Sequence, residues 1–99
     1  MKRALLLNAQ DNVATLLETV VEGELVEIRD NKGDLILEMR AATLIAQGHK
    51  IALWNMEKGT EIMKYGFPIG YATKQIPAGA FVHTHNLESA RGRGDKSDA

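Results

Sequence analysis

Three polar patches interrupt strand-like runs in this sequence: His49-Lys50, Lys64-Tyr65 and His83-Thr84-His85-Asn86. Together they hold all of the chain's histidines. If residues 76–86 run as an extended strand, His83 and His85 emerge on one face roughly 7 Å apart, because successive side chains point to opposite sides. Neutral imidazole is a common ligand for transition metals and titrates near physiological pH, so the pair can hold a metal, move protons or bind an anion. A metal on His83 and His85 alone would lack ligands, since such sites use at least three. No aspartate or glutamate shows matching spacing, so the remaining ligands are expected from another chain. Each patch also has a plainer reading. His49 can bond a loop carbonyl, Lys64 and Tyr65 can be a solvated cation and a ring at the core's edge, and the two histidines can occupy the solvent face of an edge strand. Arg91 and Arg93, spaced by glycines, can fork onto a carboxylate or sulfonate of a ligand or onto a partner's acidic surface, or can belong to a solvated end.

The elements that must position these groups are short. Residues 4–7 form an apolar run closed by Asn8, expected as a buried first strand. Asp11 or Asn12 can cap a helix, and Val13, Leu16, Leu17 and Val20 follow at helical spacing until Gly23, so an N-terminal α-helix is expected. From Glu24 the period changes to two. Val26 and Ile28, the turn residues Asp30-Asn31-Lys32-Gly33-Asp34, and then Leu35, Leu37 and Met39 read as a β-hairpin. Residues 41–47 are a helical turn or an irregular connection. Beyond Gly48 a strand pattern resumes in which His49 shares a face with Ile51 and Leu53, and Lys50 shares the other with Ala52 and Trp54. Glycine and proline punctuate the rest, at Gly59, Gly66, Pro68, Gly70, Pro77 and Gly79. A mostly β domain over residues 1–88 is expected, without internal repeats, followed by a flexible tail over 89–99 that has little to bury.

Composition narrows the function classes. The chain has 99 residues, 44% of them hydrophobic, enough for one modest core. A formal charge of −1, with basic residues scattered among acids, provides no field to gather nucleic acid or anionic lipid. There is no cysteine, so a thiolate nucleophile, a disulfide and an iron–sulfur ligand are excluded, and any metal must use nitrogen and oxygen donors. The N-terminal apolar run breaks too early for a signal peptide, and no run approaches a membrane span, so a cytoplasmic location is expected. Walker, G-x-G-x-x-G, G-x-S-x-G and H-E-x-x-H patterns are absent.

Taken in order, Asp11-Asn12-Val13-Ala14, Gly48-His49-Lys50-Ile51-Ala52-Leu53, Lys64-Tyr65-Gly66-Phe67-Pro68-Ile69-Gly70 and the segment from Ile76-Pro77-Ala78-Gly79 to Val82-His83-Thr84-His85-Asn86 form a specific set. In these motifs, from about Leu7 to Asn86, the chain resembles the small SAF-type domain of the altronate and galactarate dehydratase family. The alpha subunit of sulfolactate sulfo-lyase, which eliminates sulfite instead of water, carries similar motifs. The resemblance implies a β-clip fold with one helix and short bent strands. It also implies metal-dependent dehydration of a sugar acid, with iron(II) as the expected ion, manganese(II) as the alternative, and sites shared with a large catalytic subunit.

On that resemblance, His83 and His85 are assigned to metal binding or proton transfer and Lys64 to catalysis. His49, Lys50, Tyr65, Asn86, Arg91 and Arg93 are assigned to the substrate, with Asn86 orienting a histidine. The expected partners are the large subunit and a sugar acid, with self-association possible for the isolated chain. Sulfolactate sulfo-lyase and a non-catalytic carbohydrate-binding module are the alternative functions.

Overall fold

The computed structural model describes residues 1–89 and places them in nine strands. They are β1 (Lys2–Leu6), β2 (Val13–Leu16), β3 (Leu25–Asp30), β4 (Leu35–Arg40), β5 (Lys50–Ala52), β6 (Glu61–Lys64), β7 (Phe67–Ala72), β8 (Phe81–Val82) and β9 (Leu87–Ser89). A six-stranded sheet has the order β4-β3-β1-β2-β5-β8, and a three-stranded sheet the order β6-β7-β9. β1 and β3 run parallel; the other neighbours are antiparallel. The hairpin expected from the period-two pattern is β3–β4, with a register shift at Ile28/Arg29. Residues 90–99, and with them Arg91 and Arg93, lie outside the described residues.

The expected N-terminal helix is absent: there is no helix among the described residues, and its first half is strand β2. A helical stripe would bury Leu17 and expose Ala14. Instead Ala14 is 2% exposed and Leu17 is 42% exposed. β2 is paired on both edges, with β1 and β5, and both of its faces are covered, so Val13, Ala14 and Leu16 are all buried. A strand buried on two faces reads as a near-continuous apolar run, and here that run mimics the spacing of an amphipathic helix.

Alternation along the central strands separates two cores. Ala14 pairs with Ile51, Ile51 with Phe81, and this face joins Ala4, Leu16, Val26, Ile28 and Leu53 in one cluster. Val13 pairs with Ala52, and their face joins Val82, Ile62, Ala72 and Ile76 in the second, onto which the three-stranded sheet packs. The six-stranded sheet therefore has an apolar layer on each side of β2 and β5.

The loops repeat, contrary to the expectation of a chain without internal repeats. Residues 16–24, 41–49, 52–60 and 72–80 share one nine-residue pattern: a buried Leu16, Ala41, Ala52 or Ala72; a buried Val20, Ile45, Met56 or Ile76; and Gly23, Gly48, Gly59 or Gly79. Each glycine has φ between 86° and 90° and is the third residue of a turn closed by an amide-to-carbonyl bond across it. That is the pattern of a type II turn, which demands positive φ at this position. The segments pair crosswise. The Gly23 and Gly48 amides donate to the carbonyls of Ala41 and Leu16, and those of Gly59 and Gly79 to Ala72 and Ala52, all at 2.8 Å. Isolated bridges Val20–Ile45 and Met56–Ile76 close each pair.

Candidate functional site

The residue after each repeated glycine leaves the turn in a fixed direction, and in the second segment that residue is His49. Its carbonyl accepts the Leu16 amide at 2.9 Å. The fourth segment delivers Ala80 and then β8, whose Phe81 pairs with Ile51. The chain does not continue as a strand through the two histidines. Residues 83–86 form a turn in which the Asn86 amide donates to the His83 carbonyl at 3.0 Å. The Asn86 side chain is 4% exposed and closes this turn from within. Its Oδ1 accepts the His83 amide and its Nδ2 donates to the Phe81 carbonyl, each at 2.9 Å. Asn86 thus orients the backbone that carries the histidines, not an imidazole.

The turn gathers four rings. Phe81 stacks on His83 with centroids 5.4 Å apart and 11° between planes, and meets His85 at 5.3 Å. His49 stands edge-on to Phe81 at 5.4 Å and to His83 at 5.2 Å. His49 and His83 are half-buried and His85 is exposed. Sequence reasoning placed no role on Phe81. Its position two residues before His83, on the same face of an extended segment, was the available signal.

Lys64 and Tyr65 lie on the β6–β7 hairpin. Lys64 pairs with Phe67, leaving Tyr65 and Gly66 as the two central residues with φ of 59° and 78°. Positive φ at both positions is what a type I′ turn requires. Tyrosine is unfavourable there, and Asp11 compensates. Its carboxylate is 1% exposed and accepts the Tyr65 amide on Oδ2 at 2.7 Å and the Gly66 amide on Oδ1 at 2.8 Å. Asn12 ties the same hairpin through the Met63 amide and the Glu61 carbonyl. Both residues cap free backbone groups, as a helix cap does, but those groups lie some fifty positions away in the chain. The Tyr65 ring points outward and is 65% exposed.

Lys50 follows His49 and so projects from the other face of β5, away from the imidazoles. Burial, and secondly the positive charge of Lys64, lower the pKa of the Lys50 amine from its ordinary value of 10.5. The structure therefore brings His49, His83 and His85 together around Phe81, with Lys50 on the opposite face of β5, Lys64 on the β6–β7 hairpin and Tyr65 at its exposed tip.

Two imidazoles on one tetrahedral ion have ring centres roughly 5 Å apart, given metal–nitrogen bonds of about 2 Å. The His49–His83 separation of 5.2 Å fits that arrangement. Among the described residues, however, no three or more histidine, aspartate or glutamate side chains are placed to hold an ion. The imidazoles among the described residues therefore do not by themselves complete a metal site. Open clefts lie beside Leu7, Asn8 and Ile36, and between Lys58, Tyr71 and Glu88, and neither is lined by the imidazoles. No helix of the described residues is long and apolar enough to cross a membrane.

Comparison with known proteins places these motifs. The chain is 42% identical over 83 residues to altronate dehydratase of Escherichia coli (strain K12), covering 84% of this chain and 16% of that protein. It is 33% identical over 96 residues to altronate dehydratase of Bacillus subtilis (strain 168), covering 90% of this chain and 17% of the relative. It is 28% identical over 85 residues to the (2R)-sulfolactate sulfo-lyase subunit alpha of Chromohalobacter salexigens, covering 85% of this chain and 90% of that subunit. The chain thus spans about a sixth of the altronate dehydratases it matches. Residues 2–90, which include both lysines and every histidine discussed above, match the altronate/galactarate dehydratase SAF domain, and the chain belongs to that family.

Proposed function

We propose that this chain is the SAF part of a lyase that removes water from a sugar acid of the altronate or galactarate type, acting with a large catalytic portion. The observation that carries the reading is the meeting of His49, His83 and His85 around Phe81, at one edge of the domain, with ligands still to be supplied. His83, with His49 or His85, would hold a divalent ion, iron(II) by the family resemblance or manganese(II). When bound, such an ion supplies Lewis acidity toward the enolate-like charge that forms when the proton alpha to a carboxylate is removed. Water exclusion and orientation fall to this chain's own residues. Phe81 presents one face to His83 and excludes solvent there. Asn86 fixes the His83 backbone, and the exposed His85 is free to take the alpha proton or to protonate the departing hydroxyl as water.

A second reading is favoured by the match to a sulfolactate sulfo-lyase alpha subunit, 28% identical over 85 residues: an elimination of the same kind whose leaving group is sulfite. A cytoplasmic location accompanies either reading. The test is co-production with the large subunit, followed by anaerobic assay with iron(II) against altronate, galactarate and sulfolactate. Turnover of one substrate, and loss of both metal content and turnover in His83→Ala, are the expected results. Absence of a complex and of turnover on all three would overturn both readings, and binding of a sugar acid by the chain alone without metal would point to a carbohydrate-binding module.

A further inference from the structure

We infer that Tyr65 and Phe67 on the β6–β7 hairpin tip, with the neighbouring Trp54, form the anchor by which this domain docks into an apolar groove of the large catalytic portion. These three side chains are 65%, 69% and 48% exposed. All three leave the backbone around one buried pair, Asp11-Asn12. The Asp11 carboxylate accepts the Tyr65 and Gly66 amides, and Phe67 pairs with Lys64 across the turn. The Asn12 carbonyl accepts the amide of Leu53, the residue before Trp54, at 3.0 Å, while the Asn12 side chain holds Met63 and Glu61. Gly66 sits so closely on Asn8 that a Cβ there would stand 2.9 Å from Asn8 Nδ2. Three exposed rings are thus carried on a base cross-linked by hydrogen bonds.

Backbone strain points the same way. Tyr65 is the one non-glycine residue with positive φ among the described residues, and a type I′ turn is satisfied more easily by asparagine followed by glycine. Tyrosine at φ of 59° costs backbone energy, and a ring that is 65% exposed recovers little of it inside the domain. Aromatic rings on a preorganised base are what protein interfaces use as central anchors, because they bury a large area at small cost in side-chain entropy. Lys64, half-buried at the foot of the tip, suits a groove with a carboxylate at its rim. The occupant follows from length. The matched residues make up 16% of one altronate dehydratase, which has a much larger body beside the domain. They make up 90% of a sulfo-lyase alpha subunit, which has little else with which to hold a partner. His49 lies four residues before Leu53, roughly 13 Å along an extended chain, so the anchor occupies the opposite end of β5 from the imidazoles. This inference rests on the reading of the chain as part of a larger lyase, and it gives Tyr65 to a partner protein instead of the substrate.

The experiment is calorimetric titration of the full 99-residue chain into the large subunit, beside urea denaturation of the chain alone and assay of the complex against the three acids named above. Tyr65→Asn should raise the denaturation midpoint, because asparagine tolerates positive φ, and yet weaken docking roughly tenfold or more. Phe67→Ser and Trp54→Ser should weaken docking similarly while the chain stays folded. Unaltered affinity in Tyr65→Asn and Phe67→Ser would overturn the anchor and leave the lyase reading standing. A complex that these variants weaken, but that turns over none of the acids, would overturn the lyase reading and support the anchor. Absence of any complex, or a dimer of the chain alone that Tyr65→Asn dissolves, would overturn the anchor, the dimer by assigning the rings to a second copy.

Discussion

Asn86 shows how a single buried amide serves a site it does not enter. Its two hydrogen bonds hold the His83 amide and the Phe81 carbonyl, so Asn86→Ala leaves both partners unmet in a partly buried turn. The expected loss is about 2 kcal/mol, from two orphaned backbone groups. His85→Ala, at an exposed position, should stay within about 0.5 kcal/mol. Urea denaturation of the two variants separates a positioning residue from one whose value is chemical. Lys50 gives the opposite case, a residue whose folded environment works against it. With its pKa lowered in the folded state, the ammonium is disfavoured there at every pH below the folded value, where both states are charged. Between that value and 10.5 the unfolded chain keeps a proton that the folded chain has released, so stability rises with pH across this window. Lys50→Met should therefore be more stable than the unaltered chain at pH 7, with the advantage shrinking as pH approaches 10.5. Denaturation midpoints at three pH values check the sign.

Among the elements, those whose signal is local were legible in the sequence. The β3–β4 hairpin announces itself by alternation and by Asp30-Asn31-Lys32-Gly33-Asp34, because one hairpin contains all its own partners. β2 does not, since both neighbours and both covering layers come from elsewhere, and only its β-branched Val13 and Thr15 hinted at strand. Asp11 and Asn12 were legible as caps, but the capped hairpin is distant in sequence. The histidines were legible as a group, whereas the turn that aims them depends on Asn86 folding back. The fourfold glycine pattern was present in the sequence all along, its segments spaced irregularly enough to hide it. Gly79 tests that pattern. A Cβ there would stand 2.4 Å from the Arg40 carbonyl oxygen, at φ of 86°, while at Gly33 nothing lies within 4 Å at φ of 90°. Gly33→Ala should cost about 1–2 kcal/mol from backbone strain alone. Gly79→Ala should cost about 1–3 kcal/mol more, because Arg40 or the turn must move. Thermal unfolding of the pair reads the difference, and equal losses would mean that the turn accommodates the methyl freely.

At the scale of the whole molecule, one sheet with a core on each side holds two chemistries apart. His49 and Lys50 are neighbours in the chain, yet β5 sends the first toward the cluster containing Ile51 and Leu53 and the second toward that containing Ala52 and Val82. Energetic coupling between substitutions requires contact, a shared network or a shared cavity. His49 and His83 touch, with rings 5.2 Å apart, while His49 and Lys64 are divided by the sheet. His49→Ala and Lys64→Met should therefore combine additively in stability, within about 0.5 kcal/mol, whereas His49→Ala and His83→Ala should depart from additivity by about 0.5 kcal/mol or more. Two double-mutant cycles, measured by urea denaturation at one pH, give both numbers. Additivity in the first cycle and coupling in the second would fix the imidazoles as one coupled group and Lys64 as independent of it. Strong coupling between His49 and Lys64 would mean that β5 transmits strain from one core to the other.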